Sequence, residues 1–248
     1  MNDQERIKIL EEYEILDTLP EKEFDDIVEL ASIFFQTPIS LISLLDSHRQ
    51  WFKARVGLNA QETPIEYAFC YHAIKQPDEV MVVPDSFMDE RFQNNPLATG
   101  DPHVRFYAGA PLVTKSGYAL GTLCVIDNHP REFSEEQERV LKILAQKVIA
   151  RIDNRKKILE AKKQLLVAEK DKEQYISTLE EMISTLSHKV RRPVANILGI
   201  ANELSKSVLS EEERKRHIPY LKTSAEELDL YIHELNDLIQ AKQIKIGS

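Results

Sequence analysis

His188 is the side chain with the most chemistry to offer. It stands in the run Ser187-His188-Lys189-Val190-Arg191-Arg192-Pro193-Val194. A neutral imidazole, with an ordinary pKa near ~6.5, presents a nucleophilic nitrogen at cellular pH. Lys189, Arg191 and Arg192 follow directly, and cations so placed favour an anion on that nitrogen, Arg192 through charge-assisted hydrogen bonds. Leu186 and Val190 occupy successive positions of an apolar stripe, which turns His188 outward. Pro193 lacks an amide proton and is expected to kink the helix just past the histidine. The bland alternative is a surface histidine with no reaction to perform. The motif and the helical pairing around it weigh against that.

A second group lies in the first half. Cys70, His72, Asp85, Asp89 and Arg91 are the candidates for lining a small-molecule pocket, with a solvated loop as the alternative for the stretch from Asp85 to Asn94. Cys70, His72, Cys124 and His129 lack the spacing of zinc ligands, so no metal is expected. The two cysteines are far apart and follow no secretory leader, so they read as reduced thiols in the cytoplasm. Their apolar neighbours suggest burial, which argues against reactive thiols.

These residues need elements to hold them. Five of the seven glycines lie at or before Gly121, and only Pro193 and Pro219 lie beyond residue 130. The first half is therefore turn-rich and mixed, and the second nearly all helix. Thr18 to Glu21 fits a capping box, and Asp25 to Phe35 has helical apolar spacing. Ile39–Leu45 reads as a buried strand, Trp51–Val56 as an alternating one, and Val80–Val83 as a third. Arg105–Val113 and Ala119–Ile126 flank Lys115-Ser116-Gly117 as a hairpin. Ser134 to Gln137 is a second capping box, opening a long helix. The order gives an α+β fold with an antiparallel sheet.

Beyond it run two apolar stripes. Ile176, Leu179, Ile183, Leu186 and Val190 are spaced by three and four, and Ile152, Leu159 and Leu166 form an offset phase. This predicts a signalling helix with a stutter. Ile218, Leu221, Ala225, Leu228, Ile232, Leu235 and Ile239 form the cleaner stripe. Between them Ser207 to Glu213 is polar, and Ser210 with Glu213 makes a third capping box. One such hairpin has too small a core, and two, one from each subunit, make a four-helix bundle. The expected organisation is an α+β domain over 1–150, a coiled-coil helix over 151–175 and a helical hairpin over 176–242.

The bulk numbers restrict the function. Of 248 residues, 42% are hydrophobic and 29% charged, the composition of a soluble globular chain of about two domains. A net charge of -9 favours neither nucleic acid nor an anionic membrane as partner. The N-terminus is polar, and no stretch approaches the ~20 apolar residues of a membrane span. A cytoplasmic location is expected.

Two resemblances sharpen this. Ser187, His188, Arg191, Pro193 and Val194, followed by Ile197 and Gly199, resemble the H-box of the dimerisation and phosphotransfer domain of sensor histidine kinases. The likeness covers about 176–240 and implies that His188 accepts a phosphoryl group. Lys189 departs from it, since the family usually has an acidic residue there that assists proton removal. Arg192 replaces a residue that orients water for dephosphorylation. No glycine-rich nucleotide loop follows Pro193, so the residues here are not expected to phosphorylate themselves from ATP. A partner then supplies or takes the group, or His188 is a relic in a dimerisation module, or a longer parent continues. Over about 4–150, Tyr13-Glu14-Ile15-Leu16-Asp17, Pro38-Ile39-Ser40-Leu41, Arg49-Gln50-Trp51-Phe52, Ala68-Phe69-Cys70-Tyr71-His72, Phe106-Tyr107-Ala108-Gly109-Ala110-Pro111-Leu112 and Gly121-Thr122-Leu123-Cys124 resemble GAF domains. That implies a sheet flanked by helices and an unidentified small-molecule ligand as the only cofactor in prospect. The pattern used for cyclic nucleotides is absent, and the neighbours of Cys70 do not match a bilin site.

Three functions follow. One is a homodimeric phosphorelay protein whose GAF sensor controls exchange between His188 and a response regulator receiver domain or a partner histidine kinase. The second is a non-catalytic dimerisation scaffold that modulates full-length kinases. The third is a redox enzyme using Cys70 or Cys124.

Overall fold

The computed structural model describes residues 3–205 and 210–246, with side chains to residue 237. It divides into two compact units, one ending at Lys162 and the other beginning at Lys163. The first holds helices α1 (Asp3–Glu12) and α2 (Lys22–Phe35), strands β1 (Ile39–Leu45), β2 (Arg49–Val56) and β3 (Glu62–Pro64), and helix α3 (Phe69–Ala73). Strand β4 (Met81–Val83), helix α4 (Pro96–Thr99) and strands β5 (Phe106–Val113) and β6 (Ala119–Asp127) follow. Helix α5 (Glu135–Leu204) belongs to both units, and α6 (Glu211–Ile246) to the second.

The sheet is antiparallel throughout, in the order β3-β2-β1-β6-β5-β4. Both of its faces are covered, giving two apolar clusters. Leu10, Phe24, Val28, Leu141 and Val148 pack on one face from α1, α2 and α5. Phe69, Ala73, Phe92 and Val104 pack on the other from α3 and the loops. This explains why all seven residues of β1 are buried and why its sequence lacks polar alternation. The β5–β6 turn closes where expected. Gly117 takes φ +86°, and Thr114 and Tyr118 bond across it.

Two sequence expectations are corrected here. Thr18 to Glu21 is not a capping box: α2 begins at Lys22, and Glu21 at its N-cap makes no side-chain cap bond. Lys53 is the reason. It is the extra residue where the β1–β2 register slips between Ile42 and Ser43. Its fully buried ammonium donates to Thr18 Oγ1, Leu19 O and Glu21 Oε1, each at 2.8 Å. A buried charge outcompetes a cap for those acceptors. The helix around Phe24 is also the second, because α1 precedes it. Arg6 hides α1 from a hydropathy reading: it is fully buried and bonds Asp3 and the carbonyl of Leu45.

The other two capping boxes form. Ser134 N donates to Gln137 Oε1 at 2.9 Å and Gln137 N to Ser134 Oγ at 3.3 Å. Ser210 and Glu213 make the same reciprocal pair at 2.9 and 3.3 Å. Ser134→Ala is expected to lower the stability of the first unit by about 1 kcal/mol, read from the denaturant midpoint at unchanged m-value.

In the second unit, the C-terminal part of α5 and α6 form a hairpin, and α5 continues through Pro193. Half of each stripe is covered. Leu179, Leu186 and Val190, with Leu221, Leu228 and Leu235, are half-buried, whereas Ile176, Ile183, Ile218 and Ile232 stay exposed. Of the predicted stripe, Ile239 lies outside the described side chains, and residues 206–209 of the predicted turn lie outside the described residues. Among the described residues no helix is long and apolar enough to cross a membrane.

Candidate functional site

His188 sits on α5 midway between Leu186 and Val190 of the covered stripe, two residues from each, and its side chain is exposed. Among the described residues no side chain hydrogen-bonds to it. Arg191 and Arg192, three and four residues on, share its helix face and are exposed. Lys189 behaves differently. Its Nζ lies 3.3 Å from Glu234 Oε2 and 5.3 Å from the Tyr231 ring centroid, both on α6. Pro193 is buried within the hairpin. The four supporting residues thus divide: two guanidinium groups stand beside the imidazole, one ammonium ties the two helices, and one ring fills the core. The arrangement offers a solvent-facing nucleophile with two guanidinium groups on its own face that can donate hydrogen bonds to an anion. Glu234 and Tyr231, more than 40 positions from His188, escaped the sequence reading because only the hairpin brings them near.

The five candidates in the first unit also divide. His72, Asp89 and Arg91 gather round Phe92. The His72 ring lies 5.0 Å from it edge-on, and the Arg91 guanidinium 4.9 Å above it. Asp89 accepts from Arg91 Nε at 2.9 Å and Nη2 at 2.6 Å, and that pairing holds its carboxyl below the usual range. Burial, then the cations Lys75 and Arg91, lower the basicity of His72. Asp85 stands apart in a two-bond pair with Arg105 at 2.9 and 2.7 Å, which lowers its pKa. Cys70 is buried and alone of the five lines a cavity of about 40 Å³. Gln50, Thr63, Phe69, Leu97 and Tyr107 share that wall. That volume is room for about three waters. Gln50 and Thr63 are opposite each other across β2 and β3, a pairing no sequence pattern announces. Among the described residues no cluster of His, Cys, Asp and Glu is arranged to hold a metal.

The family model for the GAF domain matches residues 20–152, and that for the His Kinase A (phospho-acceptor) domain matches residues 178–243. Over 130 residues the chain is 48% identical to a cyclic di-GMP phosphodiesterase of Pseudomonas aeruginosa, covering 52% of this chain and 22% of that protein. Over 90 residues it is 33% identical to the autoinducer 2 sensor kinase/phosphatase LuxQ of Vibrio parahaemolyticus, covering 36% of this chain and 10% of that protein. The chain therefore spans under a quarter of the first relative's length and about a tenth of the second's. Among solved structures, the GAF domain of an Acinetobacter phosphoenolpyruvate-protein phosphotransferase has a TM-score of 0.47 at 21% identity, covering 62% of this chain and 95% of that one.

Proposed function

Because the chain belongs to the GAF domain family and carries a His Kinase A phospho-acceptor domain, we propose that it is a cytoplasmic phosphorelay protein whose sensor governs a dimeric phosphoacceptor histidine. The pairing of the two domains supports histidine-kinase-type signalling. The observation that carries the finer reading is His188: exposed, with Arg191 and Arg192 on its own face. In this reading residues 1–150 sense, 151–175 transmit as a coiled coil, and 176–242 form the phosphoacceptor hairpin.

The exchange is a phosphoryl transfer with a receiver domain. An imidazole nitrogen of His188 attacks the phosphorus of the receiver's aspartyl phosphate. A P–N bond forms, the P–O bond breaks, and the carboxylate leaves. Arg191 and Arg192 hold the transferring oxygens. Occupancy of the sensor by a small molecule shifts the phase of α5 and so the access to His188, which requires a helix with two packing states.

The test is transfer of label from a phosphorylated receiver domain, or from a separately added kinase catalytic domain, to the purified chain. Acid-labile label that disappears in His188→Ala is expected. No label across several receivers and kinase domains would remove the phosphotransfer step. A second reading, a docking module without transfer, is favoured by Lys189, a cation where a proton-accepting group would serve. It requires that His188→Ala leave partner binding and cellular output unchanged.

A further inference from the structure

The polar heart of the first unit surrounds a sulfur. Cys70 Sγ on α3 receives Thr122 Oγ1 at 3.0 Å, Ser43 Oγ at 3.1 Å and the Tyr107 hydroxyl at 3.3 Å. These donors come from β6, β1 and β5 in turn. They also touch one another, Ser43 to Thr122 at 3.2 Å and Tyr107 to Thr122 at 3.3 Å. Cys124 packs in the same buried cluster as Cys70, and the two thiols perturb each other's titration. Thr122 and Cys124 alternate on β6, so both project to the same face of the sheet. All five side chains are buried.

Such a cluster has an energetic cost. Each buried hydroxyl costs about 1–3 kcal/mol unless bonded, and a neutral thiol is a weak acceptor. The donors are best satisfied when the sulfur carries negative charge. The backbone is also shaped to admit one of them. A Cβ at Gly109 would lie 2.1 Å from the Tyr107 hydroxyl, so only glycine there lets the phenol reach the sulfur. Access comes from the cavity of about 40 Å³, where Cys70 and Tyr107 form part of the wall and Leu58, Leu97 and Pro102 another. A molecule the size of water or hydrogen peroxide fits, and a bulky oxidant does not.

We infer that Cys70 and Cys124 are a peroxide-reactive dithiol, in which a hydroperoxide entering the cavity oxidises Cys70 and Cys124 then closes a disulfide upon it. The Cys70 thiolate attacks one peroxide oxygen, the O–O bond breaks, and the departing hydroxide takes up the proton that Cys70 released, leaving as water. The product is the sulfenic acid of Cys70. The Cys124 sulfur then attacks the Cys70 sulfur. The S–S bond forms, the S–O bond breaks, and the hydroxide leaves with the proton of Cys124 as a second water. Two thiols are oxidised and one hydrogen peroxide is reduced to two waters. The environments divide the roles. Burial alone would raise the Cys70 thiol, but the donors converging on it more than offset that and hold it below the ordinary thiol range. Cys124 is pushed up by the neighbouring Cys70 sulfur and by burial, so it stays protonated until the sulfenic acid forms. This site is independent of His188 and goes beyond the sensing role proposed for the unit.

The experiment exposes the full chain to hydrogen peroxide and counts thiols after denaturation without reductant. The expected result is loss of both thiols, a mass lower by about 2 Da and a peptide linking Cys70 to Cys124. The rate should rise in proportion to peroxide. Cys124→Ser should accumulate a dimedone-reactive Cys70, and Cys70→Ser should leave Cys124 reduced. Tyr107→Phe should slow the oxidation of Cys70 by roughly fivefold, the loss of one donor. Two intact thiols after exposure, a rate that plateaus at the opening rate of the fold, or a cross-link between chains would each overturn the proposal. If Cys70→Ser fails to fold, the linked peptide in the unaltered protein decides alone.

Discussion

Glu21→Ala is expected to lower the stability of the first unit by about 3 kcal/mol, and Glu21→Gln by about 2 kcal/mol. Glu21 Oε1 accepts from Lys53 on β2 and from Arg155 on α5, each at 2.8 Å. Lys53 is wholly buried, and Glu21 supplies the opposite charge it faces. Removing that carboxylate leaves an ammonium in the interior with only Thr18 Oγ1 and Leu19 O as acceptors. Stranding one member of a fully buried pair costs about 3–5 kcal/mol. Glu21 is 29% exposed, so the lower end applies. In a unit of this size, that is a fall in Tm of roughly 6 to 12 °C for the alanine variant.

The same carboxyl gives the unit an acid-dependent limb. Burial pushes the Glu21 pKa up, but bonds from Lys53 and Arg155 more than offset it, and the net shift is downward. A depressed folded pKa means the stabilisation is fully present above the ordinary carboxylate value and is lost as pH falls through the lower folded value. Glu21→Gln should flatten that limb below about pH 4.5, measured as the denaturant midpoint against pH. Asp26→Asn is the contrast. The Lys22–Asp26 pair is 82% and 52% exposed, so its loss should leave the denaturant midpoint unchanged. Arg155 also donates to the carbonyls of Tyr13 and Glu14, so one guanidinium fixes α5 to the turn after α1.

The predicted strands and the β5–β6 hairpin were readable because their signals are local. Ile39–Leu45 is an unbroken buried run, and Lys115-Ser116-Gly117 carries the glycine its turn requires. What was not readable depends on pairing across distance. Strand β3 is three residues long and is defined by its pairing with Arg49, Gln50 and Trp51 of β2. Helix α1 carries a buried arginine, which any hydropathy pattern counts as surface. Thr18 and Glu21 have the spacing of a cap, but Lys53, more than 30 residues away, claims both. The site divides likewise. The outward position of His188 follows from the stripe through Leu186 and Val190, a periodic signal. The polar shell of Cys70 does not follow from its neighbours, all of them apolar or aromatic, because its three hydroxyls come from three different strands.

Ile183→Glu combined with Ile232→Glu is expected to abolish self-association of the chain. In α5 the residues facing α6 are half-buried, yet Ile183 remains 62% exposed. In α6 the same division leaves Ile218 at 56% and Ile232 at 46%. Alternate members of each three-four stripe are therefore open in a lone hairpin. Apolar residues at seven-residue spacing, Ile176 and Ile183 on α5 and Ile218, Ala225 and Ile232 on α6, make a coiled-coil seam rather than a solvated surface. In the proposed dimer a second hairpin of the same chain supplies the matching seam, in keeping with the tendency of His Kinase A domains to dimerise. Each isoleucine buried in the bundle contributes about 1.5–3 kcal/mol, and a buried unpaired glutamate adds a desolvation cost. Each substitution appears twice in a symmetric dimer, so Kd should rise by at least roughly a thousandfold. Sedimentation should show a concentration-dependent dimer in the unaltered protein and a monomer in the double variant. The melting of the second unit should also rise with protein concentration in the former only. His188→Ala, on the exposed face beside the seam, should leave both readouts unchanged. That separates assembly from phosphoryl chemistry. A double variant that still sediments as a dimer would place the interface on other residues and would leave the exposed isoleucines of the hairpin without a role.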